Sequence, residues 1–461
     1  MNAILLIDFG STCTKVTAVD VDAPTLLGTA MAFTTTATDI CDGLMDALSD
    51  LETQTGPLRY AQRLACSSAA GGLRMVTVGL VPELTAEAAR LASLGAGAKV
   101  VKVFSYQLTG EDIAEIASLK PDILLLTGGI DGGNTANILH NARMLAGCPA
   151  DFPVLIAGNR SCAGDCQALL AGRETQVCPN VLPRLGELNI EPTQKMIREI
   201  FLQRIIRAKG LSRVSELVSG ILMPTPAAML AAMTLLADGT PAQSGLGELV
   251  AVDLGGATTD VYSIAVGAPR NAGTILRGLP EPYAKRTVEG DIGMRYGARG
   301  ILEAAGAAFL AELSGLDPQL VTQLVDLLTR RPGQLPDTPQ LAALDFALAA
   351  AAIDIAVTRH AGRIEQTYTP MGPLNIQTGK DLTAVRQLVV TGGAVIYAAR
   401  GADIAARALA SPAQPAALKP RTARILIDRR YILPAMGLLQ AQYPAAAWQI
   451  MQKELEDHGT R

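Results

Sequence analysis

The sequence predicts an α/β protein of two lobes that open on the same pattern, and three observations lead to that reading. Near the N-terminus an apolar strand carries Asp8 to its end and runs on into Phe9-Gly10-Ser11-Thr12-Cys13-Thr14-Lys15. Far along the chain a second apolar strand carries Asp253 into Leu254-Gly255-Gly256-Ala257-Thr258-Thr259-Asp260. Each is followed by two further strand patterns, so a whole supersecondary unit repeats rather than a loop alone. The 461 residues exceed one ordinary core and suit two large domains. Their 49% apolar share comes from Ala, Leu, Val and Ile, with only 4% aromatics, as in Ala-rich helices packed on aliphatic sheets.

Taken in order, the first lobe (1–248) is expected to hold strands at 3–9, 14–21 and 26–34, a helix at 39–54 and a strand at 60–67. Three strands in hairpin order before the first helix are the core of a ribonuclease H-like fold; a simple doubly wound domain alternates from the start. From about 72 to 180 the alternation is strict. Strands at 75–78, 99–104, 122–127 and 154–157 are separated by helices at 85–93, 110–118, 135–145 and 164–170, which predicts a parallel, Rossmann-like insertion. Its Thr127-Gly128-Gly129-Ile130-Asp131-Gly132-Gly133 loop lies between a strand and a helix, and suits either an anion site or a tight turn that needs glycine.

A mixed-charge helical stretch at 192–218 leads to the turn Met223-Pro224-Thr225-Pro226 and a helix at 227–237. The polar connector 241–247 marks the boundary between lobes. The second lobe (249–461) repeats the opening with strands at 249–254, 259–266 and about 273–279. An Ala/Leu-rich helical block at about 298–362 is its insertion. Leu341 to Val357 is the most apolar run, but Asp345 and Asp354 interrupt it, so a buried helix is expected rather than a membrane span. A strand entering Thr391-Gly392-Gly393, a strand at 424–428 and a helix from Pro434 complete the lobe; the charges from Lys453 to Asp457 read as a solvated helix end.

Composition narrows the function. A net charge of −4 without a basic block or Arg/aromatic interleaving argues against nucleic acid as a partner. Met1-Asn2-Ala3 runs straight into a strand pattern with no basic leader, which predicts a cytoplasmic protein with no membrane partner. Seven scattered cysteines argue against a disulfide framework, and Cys162, Cys166 and Cys178 lack a completing ligand set, so they read as buried thiols. The three histidines, His140, His360 and His458, lie away from every glycine-rich motif. Carboxylates, backbone amides and a metal are left to do the chemistry.

Both Asp loops suit one task. Glycine and hydroxyl residues free backbone N–H groups to face an anion, and an Asp at a strand end holds Mg²⁺, usually through water. The expectation is an Mg²⁺·ATP held by a two-sided clamp. Asp8 and Asp253 serve the metal, while Gly10, Ser11, Thr12, Thr14 and Lys15 on one side and Gly255, Gly256, Ala257, Thr258 and Thr259 on the other serve the phosphates. Thr391, Gly392 and Gly393 suit close approach to an adenosine, and Val288-Glu289-Gly290-Asp291-Ile292-Gly293 supplies a further Gly/acid loop with Asp291 as a ligand candidate.

These segments in this order resemble the actin/Hsp70/sugar-kinase (ASKHA) ATPase superfamily. Four segments are similar to the glutamate mutase accessory family of GlmL/MutL type: Leu5-Leu6-Ile7-Asp8-Phe9-Gly10-Ser11-Thr12, Ile123-Leu124-Leu125-Leu126-Thr127-Gly128-Gly129, Val252-Asp253-Leu254-Gly255-Gly256-Ala257-Thr258-Thr259-Asp260, and Val288-Glu289-Gly290-Asp291-Ile292-Gly293-Met294-Arg295. The resemblance implies actin-like lobes and a chaperone-like ATPase that reactivates an adenosylcobalamin-dependent amino-acid mutase as its lobes open and close. No Asp-x-His-x-x-Gly cobalamin loop is present. Competing readings are a small-molecule kinase with Asp260 or Asp291 as base, a filament-forming actin relative, and a hydantoinase-like amidohydrolase, the last weakened by the scarcity of histidine.

Overall fold

The computed structural model describes residues 1–10, 12–34, 40–68, 73–208, 221–271, 273–370 and 372–461. It divides into two compact units, Met1–Met229 with Gly278–Pro282, and Leu230–Arg277 with Tyr283–Arg461. The division falls inside the helix Thr225–Asp238, ahead of the 248/249 limit that composition suggests.

In the first unit β1 (Ala3–Phe9), β2 (Cys13–Asp20) and β3 (Thr25–Phe33) form an antiparallel meander. The helix Ile40–Thr55 then returns the chain to β4 (Tyr60–Ser67), parallel to β1. Every residue of β1 is buried, which is why it reads as an unbroken apolar run and not an alternating one.

The alternating segment supplies β5 (Arg74–Gly79), β6 (Lys99–Ser105), β7 (Ile123–Leu126), β8 (Val154–Ile156) and β9 (Thr175–Val177), the last of which the sequence pattern does not announce. They form an all-parallel sheet in the order β6-β5-β7-β8-β9, the 2-1-3-4-5 arrangement of flavodoxin-like doubly wound domains. Period-two alternation sorts their side chains. Val76, Val78, Leu124, Leu126, Val154 and Ile156 build a core of their own with Phe104, Ile138 and Phe152. Met75, Ile123, Leu125 and Leu155 face the other way, into the core that also holds Leu5, Ile7, Phe9 and Val16.

The helix Glu191–Ala208 realises the first part of the stretch at 192–218; residues 209–220 lie outside those described. β10 (Ile221–Pro224) then joins β4, giving the sheet order β10-β4-β1-β2-β3.

The second unit begins with the small hairpin β11 (Gly239–Thr240) and β12 (Gln243–Ser244). β13 (Leu249–Leu254) and β14 (Thr259–Ile264) follow as expected. The third strand differs. β15 (Thr274–Arg277), near the expected 273–279, pairs into a separate three-stranded sheet, and β16 (Ala284–Glu289) takes the place beside β14. β16 hides its identity because it carries Lys285 and Arg286, both buried; Lys285 Nζ donates to the His360 carbonyl at 3.0 Å and Arg286 pairs with Asp260.

Four helices follow, Ala298–Ala305, Ala307–Ser314, Pro318–Arg330 and Pro339–His360. The last is long and apolar enough to cross a membrane, yet Leu341, Leu344, Leu348 and Ile353 lie in the unit's core. It starts where Thr338 accepts a hydrogen bond from Leu341 N and Pro339 stands in the first turn.

β17 (Arg363–Thr369) and β18 (Gly372–Thr378) complete the three-stranded sheet with β15. β19 (Gln387–Thr391), β20 (Arg424–Ile427) and β21 (Glu456–Thr460) extend the main one to β16-β14-β13-β19-β20-β21. β21 corrects the expected helix end at 453–457: the helix Pro444–Glu454 stops, and the chain pairs antiparallel with β20, where Arg424 bonds Asp457 at 2.9 Å.

The duplication is therefore structural. β3-β2-β1-β4-β10 and β16-β14-β13-β19-β20 run through the same antiparallel, antiparallel, parallel, parallel pairings. The fold is α/β, two units of ribonuclease H-like topology with a Rossmann-like parallel sheet in the first.

Candidate functional site

In the first unit the turn after β1 is closed by Gly10 N donating to Cys13 O at 3.1 Å, and a Cβ on Gly10 would stand 2.5 Å from that same oxygen. Only glycine fits there. The Thr34 hydroxyl donates to Gly10 O at 2.9 Å and lies 3.1 Å from the Thr14 hydroxyl, while Thr34 N donates to Thr12 O at 2.9 Å. Thr14, expected to serve the phosphates, is fully buried, with its hydroxyl turned to that of Thr34. Thr12 is exposed; Ser11 lies outside the described residues.

Asp8 sits beside this turn, only 5% exposed. Its Oδ1 accepts from the Thr225 hydroxyl at 2.5 Å and from Cys66 Sγ at 3.5 Å. Burial pushes the Cys66 thiol well above its ordinary pKa, and the Asp8 charge adds to this, so the sulfur remains a neutral donor. Asp8 Oδ2 has no hydrogen-bond partner among the described residues and lies 4.0 Å from Lys15 Nζ, across the strand pair. A buried carboxylate oxygen with no donor of its own fits a group held by a hydrated cation.

The second unit repeats the device. Gly255 N donates to Thr258 O at 2.9 Å, matching Gly10 and Cys13. The carbonyls of Gly255 and Gly256 accept from Met294 N, Arg295 N and Tyr296 N at 3.0, 2.8 and 2.9 Å. The amides of Gly256 and Ala257 enter no hydrogen bond among the described residues. The loop thus spends its acceptors internally and keeps donors for an anion.

Gly293 packs against the loop so closely that a Cβ would stand 2.3 Å from the Ala257 carbonyl carbon. The segment 288–296 is therefore a brace, with Asp291 exposed beside it. The Arg295 guanidinium ties the brace to the helical block through both oxygens of Asp345, at 3.0 and 2.8 Å.

Asp253 is half-buried, and its Oδ2 accepts from the Tyr431 hydroxyl at 2.8 Å. Asp260 stands opposite it on β14. Like charges on facing positions repel, and the buried Arg286 answers this, its Nε 2.7 Å and Nη2 2.6 Å from Asp260 Oδ1. Asp260 Oδ2 accepts from the Thr258 hydroxyl at 3.4 Å. Thr259, expected as a hydroxyl donor to phosphate, is fully buried and donates to Ile292 O at 2.8 Å.

Thr391, expected beside the adenosine, is buried and its hydroxyl donates to Asp428 O at 3.2 Å. Gly392 has φ +106°, and a Cβ there would stand 2.2 Å from Leu254 O, whereas a Cβ on Gly393 would meet nothing within 4 Å. The buried Asp428 carboxylate caps the next turn, accepting from Ile432 N and Leu433 N at 3.0 and 3.1 Å, and so fixes the segment that carries Tyr431.

Sequence reasoning missed Cys66, Thr225, Arg286, Asp428 and Tyr431. Thr225 carried a signal only as part of a Pro-flanked turn. The competing 127–133 loop is built from within: Asn159 Oδ1 accepts from Gly132 N at 3.1 Å, and Asn180 Nδ2 donates to Gly129 O and to Asp131 Oδ1, each at 3.0 Å. Cys162, Cys166 and Cys178 are buried and free, and burial pushes Cys166 up to about 12 and Cys178 to about 11. Among the described residues no group of three or more His, Cys, Asp or Glu forms a ready-made metal cage; Mg²⁺ bound through one or two carboxylates and substrate phosphates needs none.

Comparison with solved structures gives only faint overall likeness. Component A of the (R)-2-hydroxyglutaryl-CoA dehydratase of Acidaminococcus fermentans is 10% identical, with 98% of this chain and 99% of that one covered and a TM-score of 0.33. A ligand-bound xylulose kinase from Lactobacillus acidophilus is 10% identical over 100% and 93%, with a TM-score of 0.37. Scores this low carry no functional weight. In sequence the likeness is strong: Protein MutL of Clostridium tetanomorphum is 45% identical over 459 residues, 99% of each chain. The model of the MutL protein family matches residues 4–455. The chain belongs to the MutL family, the glutamate mutase accessory family that its motifs resemble.

Proposed function

We propose that this chain is a cytoplasmic Mg²⁺-dependent ATPase that serves an adenosylcobalamin-dependent amino-acid mutase as a chaperone-like reactivating factor. The observation that carries the ATP reading is the duplicated sheet, with an aspartate at the same end of the same strand and a glycine-closed turn beside it in each copy. In this reading Asp8 and Asp253 hold Mg²⁺ through water, and the bound ion neutralises charge developing on the phosphates. Gly10, Ser11, Thr12 and Lys15 serve the phosphates from the first unit, and Gly255, Gly256, Ala257 and Thr258 from the second. Gly392 and Gly393 let backbone approach the adenosine, with Asp291 at the rim.

Thr14, Thr259 and Thr391 keep the turns in shape by their backbone and side-chain bonds. Phosphoryl transfer asks mainly for positioning and charge stabilisation, which such a set supplies. The mutase rests on family membership alone. A small-molecule kinase on the same fold needs a free base; of its two candidates Asp260 is committed to Arg286 and Thr258, while Asp291 is exposed, and the product formed separates that reading from this one. Incubation with Mg²⁺·ATP, with and without a purified cobalamin-dependent mutase, tests the reading. ADP and phosphate should form faster with the mutase present; a phosphorylated metabolite without mutase stimulation contradicts it.

A further inference from the structure

The two units hold their aspartates by the same means, and the means lies outside the loops. In the first, Asp8 on β1 registers with Cys66 on β4 and Cys66 with Met223 on β10; Thr225, two residues beyond Met223, reaches back with its hydroxyl to Asp8 Oδ1 at 2.5 Å. In the second, Asp253 on β13 registers with Thr391 on β19, whose hydroxyl bonds Asp428 just past β20; Tyr431, three residues beyond Asp428, reaches back to Asp253 Oδ2 at 2.8 Å. β10 and β20 occupy the same place in the two sheets. A hydroxyl thus comes from the segment after the fifth strand in both cases, from different residue types at different spacings.

Two features mark Tyr431 as more than packing. Its backbone is left-handed, φ 54°, which is uncommon for a bulky side chain. The turn that keeps it there is pinned by the buried Asp428.

We propose that Thr225 and Tyr431 are matched positioning residues that fix the carboxylate planes of Asp8 and Asp253 for the hydrated Mg²⁺, an inference that rests on the ATPase reading above. A carboxylate holding a metal rotates freely unless its own hydrogen bonds orient it, and partners of this kind tune metal affinity without touching the metal. In the first unit the division of labour is explicit: Oδ1 takes the hydroxyl and the thiol, and Oδ2 has no hydrogen-bond partner among the described residues.

The test is a Mg²⁺ titration at fixed nucleotide for the wild type, Thr225→Val, Tyr431→Phe and Thr225→Ser, read both as ATP turnover and, without turnover, as calorimetric Mg²⁺-dependent binding of a non-hydrolysable ATP analogue. The hydroxyl-less variants should need roughly 10–100-fold more Mg²⁺ for half-maximal rate, the range typical of lost metal-orienting partners. Thr225→Ser, which keeps the hydroxyl, should restore most of the wild-type response; a merely structural role would not move the Mg²⁺ midpoint in folded protein. If Thr225→Val does not fold, the Mg²⁺ midpoint of Tyr431→Phe decides alone. Folded variants with the wild-type Mg²⁺ midpoint overturn the pairing and leave the ATPase reading standing. A wild type without Mg²⁺·ATP turnover overturns both.

Discussion

Asp8 is the residue on which the proposed chemistry turns, and the groups around it make separate predictions. Cys66 is fully buried against it with its thiol pKa pushed well up by burial. Native protein should therefore resist alkylation at Cys66 at neutral pH while unfolded protein reacts, as mass spectrometry of labelled peptides will show; equal labelling contradicts the burial. The same shift has a sign for stability. A thiol whose folded pKa lies above its unfolded value of about 8.5 adds stability that is complete below that pH and is lost as pH rises toward the folded value. Cys166 and Cys178, raised to about 12 and about 11, act in the same direction. Unfolding free energy should fall above about pH 8.5, less steeply in Cys66→Ala than in the wild type, and an unchanged alkaline slope would count against the buried thiol. Asp8 and Asp253 are legible in the sequence because strand, aspartate and glycine turn are neighbours along the chain. Thr225 and Tyr431 are not, since they meet those aspartates across 217 and 178 residues.

Elements show where local pattern suffices and where it fails. β1, β7 and β13 declare themselves as short apolar runs because they are buried within their sheets. β16 does not, because its buried Lys285 and Arg286 look like surface residues until their partners His360 and Asp260 are seen. β21 reads Glu-Asp-His-Gly-Thr, a solvated pattern, and is a strand through backbone pairing with β20 at the sheet's edge. The glycines of the turns separate shape from function. Gly392→Ala should lower unfolding free energy by more than about 2 kcal/mol, since it adds a positive-φ penalty to a main-chain clash with Leu254; a melting temperature equal to wild type would contradict the packing. Gly256→Ala, where a Cβ meets nothing within 4 Å, should leave stability within about 1 kcal/mol yet impair ATP turnover by crowding the phosphates. Full turnover in Gly256→Ala would remove that loop from the site.

Across the whole molecule, the Rossmann-like insertion is part of the first unit's core and not an appendage. Leu125 and Leu155 share one cluster with Leu5, Ile7 and Phe9, so excising residues 72–180 would expose the sheet that carries Asp8. Leu125→Ala should cost about 2–5 kcal/mol, the usual cost of a large-to-small change in a close-packed core. That loss should appear as one lowered transition for the whole unit, and a separate early melting of the insertion would contradict the shared core. The insertion was legible from its strict strand and helix alternation, whereas its shared core was not, because period-two patterning shows that both faces are apolar without saying what each face meets. Above all, two aspartates on two copies of one sheet are proposed to serve a single Mg²⁺·ATP. The ATP hydrolysis rates of Asp8→Ala and Asp253→Ala, each shown to be folded by circular dichroism, put this to the test. Turnover should be abolished in both; a wild-type rate in either folded variant would contradict the shared site.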